Sequence, residues 1–167
     1  MARKRRAPRA ARAERNLTGV ENCQRAIRLD LSSLGRFLCR VNREVGLSGE
    51  SVFVRFVTDR EMARLNRKFR KKAKTTDVLS FPSTERSRPV GFHARARSLR
   101  GEFLGDIAIA PNVARHNAKS FNRSLSEEIC ILMLHGVLHL LGYDHESDRG
   151  EMEREEARLR RRLGLNP

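Results

Sequence analysis

The sequence has no long apolar run and few cysteines. Its longest apolar stretch, residues 129–141, is interrupted by two histidines and a glycine. It falls short of the roughly 20 apolar residues that a transmembrane helix needs. The three cysteines, Cys23, Cys39 and Cys130, are odd in number and form no Cys-x-x-Cys pair. These absences argue against a membrane span, a disulfide framework and a cysteine metal site, and they favour core or surface thiols in a reducing compartment.

Aromatic and acidic residues are also scarce. One tyrosine and eight phenylalanines leave little surface for stacking on bases, so we expect sequence-specific base readout to be weak. Lysine and arginine number 35 against 20 aspartates and glutamates, for a net charge of +15. A field of this sign attracts polyanions, of which nucleic acid is the commonest. A soluble protein with a basic surface is the alternative interpretation.

The N-terminal segment is almost free of acidic residues. The first fifteen residues carry seven basic residues and one acid, and no apolar segment follows them, which is not the pattern of a secretory signal. We interpret residues 1–16 as a disordered basic arm and residues 17–167 as one domain. An organelle transit peptide is the alternative for the arm.

Hydrophobic periodicity and capping residues predict the secondary structure. Strands are predicted within residues 19–29 and at 51–58, 77–82 and 104–110, with a loop at 83–100. Helices are predicted over residues 31–45, from the capping box at Thr58 through Phe69, over 111–121, from the capping box at Ser124 to Gly142, and over 148–163. The fold class is therefore α/β or α+β: a single compact domain with a sheet of about four strands and packed helices.

Three of the five histidines fall in the segment HGVLHLLGYDH, residues 135–145. His135 and His139 stand four residues apart, so on a helix they share one face with Cβ atoms about 6 Å apart. Gly142 permits a sharp turn that returns His145 to the same point. Three neutral imidazoles on zinc leave a fourth position open, as in catalytic zinc sites. Two core histidines and a surface histidine are the alternative, although burying unpartnered rings costs about 1–3 kcal/mol each.

The histidine spacing also occurs in the metzincin proteases, with one difference. Those enzymes have a glutamate directly after the first histidine as the general base, and this chain has Gly136 there. A glycine cannot accept a proton, so a peptidase becomes the weaker interpretation.

Four blocks of the sequence resemble the YbeY family of zinc-dependent endoribonucleases, or rRNA maturation factors. They are LNRKFR (65–70), TDVLSFP (76–82), LGDIAIA (104–110) and HGVLHLLGYDH (135–145). Met152 and Glu156 also match residues that follow the third histidine in the family. The resemblance covers most of residues 65–156 and is weak over the first fifty residues. The chain departs from the family in a longer basic arm and an unusually Arg-rich loop at 83–100, so analogy does not interpret these two segments.

The resemblance implies a single domain with a mixed sheet and a cytoplasmic enzyme. It implies cleavage of single-stranded RNA, with roles in maturing small-subunit ribosomal RNA and in ribosome quality control. By this resemblance His135, His139 and His145 bind zinc, and Arg70 is a catalytic or RNA-binding residue. An arginine near the metal would clamp a phosphate bidentately, and the alternative for Arg70 is a solvated arginine at a helix end. The six basic residues within 67–74 would follow an RNA backbone, and the alternative for them is a solubilising face.

Several points stay open at the level of sequence. Asp77, Asp106 and Asp144 are each as readily structural as catalytic, and Asp144 is also a candidate acceptor for a histidine ring. Cys130 or a carboxylate is an alternative occupant of the fourth zinc position. The rival functions are a zinc hydrolase of another class and a non-catalytic protein, associated with RNA or the ribosome, that holds structural zinc. Oligomeric state is not predicted.

Overall fold

The computed structural model describes residues 19–47, 52–72, 74–83, 103–144 and 148–166. Within these ranges it has four strands and five helices. They are β1 (Val20–Asn22), α1 (Leu31–Glu44), β2 (Val52–Phe56), α2 (Asp59–Arg70), β3 (Val78–Pro82), β4 (Gly105–Ile109), α3 (Pro111–Ser120), α4 (Leu125–Leu140) and α5 (Glu151–Leu163). In this part of the chain, no helix is both long and apolar enough to cross a bilayer.

Local capping residues fix the start of α2 and both ends of α4. The hydroxyl of Thr58 accepts a hydrogen bond from the Glu61 amide at the start of α2, and Ser124 does the same for Glu127 at the start of α4. Gly142 adopts a φ of +95° just after α4, a conformation that favours glycine. The predicted N-caps at Thr58 and Ser124 and the glycine stop are confirmed, whereas the Glu61 carboxylate pairs with Arg64 rather than returning to the Thr58 amide.

The four strands form one mixed sheet in the order β1-β2-β4-β3. β1 and β2 run parallel, as do β2 and β4, whereas β3 pairs antiparallel with β4. β3 therefore lies at an edge of the sheet, although it precedes β4 in the chain. The predicted fold class, with about four strands and packed helices, is confirmed.

One side of the sheet, which we call the closed face, is covered by helices. α1 and α4 pack on the strands, and α5 packs on both of these helices. The main core fills this side with strand residues such as Val54 and Ile107 and helix residues such as Leu38 and Met133, all essentially inaccessible to solvent. Burial of this extent, at about 25 cal/mol per Å² of apolar surface, is the main stabilising contribution to the fold.

The opposite side, which we call the open face, is only partly covered. α2 packs Met62 against Leu79 of β3 and Ala108 of β4 in a smaller cluster. Further along the strands, Phe53 and Arg55 of β2 stay exposed. The two faces follow from strand alternation: β2 reads buried, exposed, buried, exposed, buried, as expected for a strand with one core side.

Some predicted boundaries shift, and some predictions fall where nothing is described. The last helix begins at Glu151 rather than near Asp148, because the Asp148 carboxylate accepts hydrogen bonds from the Gly150, Glu151 and Met152 amides ahead of the first turn. The predicted arm at 1–16 and residues 84–100 of the predicted loop lie outside the described residues.

Candidate active site

A cleft of about 1110 Å³ runs along the edge strand β3, and residues 76–82 all line it. α2 contributes Arg64, Phe69 and Arg70 to one wall, and α4 contributes His135 and His139 to the other. Because β3 is an edge strand, both walls border the same open space. The cleft therefore unites the predicted arginine with two of the three predicted metal ligands.

α4 is apolar and almost entirely buried, as expected for a helix enclosed by other elements. Between Glu128 and Leu140, His135 and His139 are the two residues that are more than marginally exposed. They lie one turn apart, so both rings emerge on the side that meets the cleft. The helix thus projects a pair of imidazoles from a rigid apolar support.

The two imidazole rings converge on one point. Their Nε2 atoms lie 3.1 Å apart, and the ring centroids are separated by 4.7 Å at an interplanar angle of 76°. Two nitrogen ligands at 2.0–2.1 Å from a tetrahedral ion would stand about 3.3 Å apart. The observed separation fits two neighbouring corners of such a site.

The other ring nitrogens fix the tautomers. His139 Nδ1 lies 3.0 Å from the Tyr143 carbonyl oxygen, which can only accept, so Nδ1 carries the hydrogen and donates. His135 Nδ1 lies 2.9 Å from Glu156 Oε2. With Glu156 ionised, this nitrogen also donates. In the neutral rings both Nε2 atoms then direct lone pairs toward the same region, an arrangement that a bound cation would stabilise.

Glu156 is held as a carboxylate from two sides. It lies on α5, with its side chain 13% exposed, and Arg160 one turn later pairs with its second oxygen. Burial by itself raises the pKa of Glu156, but the hydrogen bond with His135 and the charge of Arg160 outweigh that effect and leave the pKa below its usual value. An ionised acceptor on His135 Nδ1 is the arrangement that orients histidine metal ligands.

Gly136 is required by packing between α4 and the sheet. A Cβ atom at this position would come within 2.8–2.9 Å of the Ile107 side chain in β4. Its carbonyl also accepts a hydrogen bond of 3.2 Å from the Ser80 hydroxyl of β3. The position where metzincins have a catalytic glutamate therefore packs against the sheet, and a side chain there would press on Ile107.

Arg70 is the last residue of α2, and its exposed side chain lines the cleft. Arg64 and Arg55 line the same cleft. Arg64 is paired with Glu61 at 2.6 Å, and Arg55 with Glu21 at 3.0 Å. Such exposed pairs contribute little to stability, so both guanidinium groups are available to a stronger anion.

The three aspartates left open by the sequence all line the cleft. Asp77 is engaged in the fold: its carboxylate accepts hydrogen bonds from the Val78 amide at 2.8 Å and the Asn117 side chain at 2.9 Å. Cys130 packs in the main core rather than at the cleft, which argues against it as a fourth metal ligand. Cys23 and Cys39 are exposed free thiols, as expected.

The third predicted ligand, His145, lies outside the described residues. In the ranges that are described, no group of three histidine, cysteine or acidic side chains forms a metal cluster. The predicted trio of ligands therefore stays a prediction, supported by the convergence of its first two members.

Two supporting groups of the site were not assigned by sequence reasoning. The sequence indicates Glu156 by its match to the family but does not predict its contact with His135, and it does not predict the role of the Tyr143 carbonyl. The match of Glu156 to the family was the available signal, because its contact with His135 spans 21 residues and no local periodicity encodes it.

Comparison with known proteins adds a second line of observation. The family profile described as endoribonuclease YbeY matches residues 20–164. The chain belongs to the YbeY family. Endoribonuclease YbeY of Solibacter usitatus is 46% identical over 133 residues, covering 80% of this chain and 79% of that protein. Its counterpart in Koribacter versatilis is 45% identical, with 80% and 77% covered.

The fold comparison agrees with this membership. The solution structure of TM1509 from Thermotoga maritima matches with a TM-score of 0.52 and 28% sequence identity, covering 80% of each chain. The YbeY profile spans every described strand and helix, from β1 to α5. The described parts of the cleft therefore belong to the YbeY domain.

Proposed function

We propose that this protein is a zinc-dependent endoribonuclease that cuts single-stranded RNA at the cleft. His135 and His139 are two of the zinc ligands, and His145 is the third. Membership of the YbeY family supports the endonuclease activity on RNA. The observation that carries the metal site is the 3.1 Å separation of two Nε2 atoms whose rings both donate through Nδ1.

The donor set fits zinc. Neutral imidazole nitrogens are its common ligands, and three of them leave a position for substrate. When bound, zinc supplies a Lewis-acid charge that stabilises negative charge growing on a phosphate and makes water more acidic. That chemistry removes the need for a glutamate after His135, where a side chain would press on Ile107.

The chain's own residues orient the reacting groups. Glu156 and the Tyr143 carbonyl keep both histidines with Nε2 directed at the same point. Arg70 places a guanidinium in the cleft, where its planar fork suits two phosphate oxygens at once. It therefore stabilises the charge that develops on the phosphate as the bond to the leaving oxygen breaks.

The basic surface supports an RNA substrate. The chain carries a net charge of +15, and three arginines line the cleft: Arg55 of β2 and Arg64 and Arg70 of α2. We propose that the substrate is ribosomal RNA of the small subunit, processed in the cytoplasm on or near the ribosome. The resemblance of the four sequence blocks to rRNA maturation factors supports this role.

One assay tests the activity. Purified protein is incubated with single-stranded RNA, duplex RNA and an unfolded protein, with and without chelator. We expect cutting of the single strand alone, lost with chelator and restored by zinc. His139→Ala and Arg70→Ala should abolish or strongly reduce cutting.

Matched controls are available away from the cleft. His116→Ala removes an exposed histidine of α3, and Arg36→Ala removes an exposed arginine of α1; both should cut nearly as well as the wild type. Cleavage of the unfolded protein would favour a peptidase. Tight binding of RNA with no cutting would favour a non-catalytic assembly protein, and either result would overturn the proposal.

A further inference from the structure

Four phenylalanine side chains are exposed in the part of the chain that the structure describes: Phe53, Phe69, Phe103 and Phe121. An exposed large ring forgoes the stabilisation that burial would give. Of these four, Phe69 lines the cleft, and 55% of its surface is exposed. A ring presented to a substrate cleft in this way has a candidate role in binding.

The ring of Phe69 is held in place. It lies edge-on to Phe81, with centroids 5.0 Å apart and an interplanar angle of 69°. Phe81 belongs to β3, pairs with Asp106 of β4, and packs against the smaller core cluster. The contact with Phe81 restricts the Phe69 ring, which reduces the conformational freedom that is lost when a flat ligand stacks on it.

Cationic groups surround this ring. The Lys68 ammonium lies 5.1 Å from the Phe69 centroid, and Arg70, the next residue, lines the same cleft. Lys68 is an exposed side chain whose cation–π contact is weaker than base–aromatic stacking. A nucleobase can displace the ammonium from the ring, which frees Lys68 to approach a phosphate.

We propose that Phe69 stacks an unpaired nucleobase next to the phosphate that Arg70 clamps. This inference rests on the proposed function and deepens it by naming how the substrate is recognised. A base in a duplex is already stacked and paired, so it cannot lie on Phe69 without being extruded. The ring therefore favours single-stranded RNA and discriminates weakly among the four bases, since each has a π face.

The test compares three variants on matched RNA substrates. Phe69→Ala removes the ring and Phe69→Trp keeps a stacking surface. Phe121→Ala is the control, because Phe121 is also exposed beneath a cation, Arg123 at 5.2 Å, yet is not part of the cleft. The substrates are a single-stranded RNA and a series in which one nucleotide at a time is abasic.

We expect Phe69→Ala to weaken binding of the normal RNA about tenfold or more, with kcat changed much less. Phe69→Trp should retain most of the affinity, and Phe121→Ala should match the wild type. At one abasic position the difference between wild type and Phe69→Ala should vanish, because the base that stacks there is gone. An unchanged affinity of Phe69→Ala, or an equal loss at every abasic position, would overturn the inference.

Two further readouts separate this inference from the proposed function. RNA binding measured on metal-stripped protein does not depend on cutting. If the wild type binds RNA but never cuts it, the proposed endonuclease activity is wrong, while the stacking inference can still be tested by binding. If Phe69→Ala lowers the melting temperature without changing RNA affinity, the ring instead packs against another part of the chain and the stacking inference fails.

Discussion

The closed and open faces of the sheet differ in the residues that they carry and in the role that we expect of each. On the closed face, buried apolar residues hold α4 against the strands and set the direction of His135 and His139. On the open face and its α2 wall, exposed arginines and an exposed ring line the cleft. Metal binding needs atoms fixed to within tenths of an ångström, whereas an RNA strand is bound by charge over a wider area.

This contrast leads us to expect different effects from substitutions on the two faces. Substitutions on the closed side should change metal affinity or the free energy of unfolding. Substitutions on the open side should change RNA affinity or turnover and leave stability near the wild-type value.

Arg70→Ala is expected to give the largest effect. Loss of a donor to developing charge lowers kcat by about 100- to 1000-fold, measured by single-turnover cutting of RNA. The melting temperature should stay within about 1 °C of the wild type, because the side chain is exposed. A large loss of stability would instead show that Arg70 supports the fold, and it would contradict the division between the closed and open faces.

Glu156→Gln should weaken zinc binding by about 10- to 100-fold. An amide is neutral, and one of its rotamers donates to His135 Nδ1 and forces the hydrogen onto Nε2, where it blocks the metal. Competition with a chromophoric chelator measures the affinity. Nitrogen NMR of the metal-free protein should show the altered tautomer of His135.

The matched control for this variant is Glu155→Gln. Glu155 lies next to Glu156 on the same helix and pairs with Arg158 at 2.5 Å. Its loss should leave both zinc affinity and the His135 tautomer unchanged. Equal effects of the two substitutions would point to a general electrostatic role of α5.

Gly136→Ala should destabilise the fold by up to about 2 kcal/mol. Overpacking against Ile107 costs about 1–3 kcal/mol, and the better helix propensity of alanine returns about 0.5–1 kcal/mol. Urea unfolding measures the difference. Adding Ile107→Val should recover part of the loss, since it removes the Cδ1 atom nearest the new methyl group; strictly additive costs would contradict the proposed clash.

Arg55→Gln should give the smallest effect, a few-fold weaker RNA affinity. If Arg55 contacts one phosphate, the slope of log affinity against log salt falls by about 0.7 for a single strand. Arg36→Gln on α1, away from the cleft, is the matched control and should leave the slope unchanged. An unchanged slope for Arg55→Gln would show that this part of the open face does not contact the RNA.

Short-range signals in the sequence predicted much of this structure. The Ser124 hydroxyl and the glycine at position 142 act within one helical turn, so the ends of α4 were readable from a few residues. The helical spacing of His135 and His139 predicted their convergence for the same reason. Arg70 was identified by resemblance, and its position in the cleft agrees with that assignment.

Contacts between distant segments could not be predicted from such local signals. The pairing of β2 with β4 rather than with β3 depends on how helices cover the sheet. The contact of Glu156 with His135 requires α5 to pack across α4, and the lack of space beside Gly136 depends on a β4 side chain. Each of these depends on tertiary packing that local patterns do not specify.

The burial of Cys130 gives α4 a built-in reporter. Desolvation raises the pKa of this thiol to about 12, so at neutral pH it is protonated and unreactive toward alkylating reagents. Cys23 and Cys39 are exposed and should label at once. Slow labelling of the third cysteine then times the opening of α4 itself, and zinc should lengthen that time if the helix holds the ion.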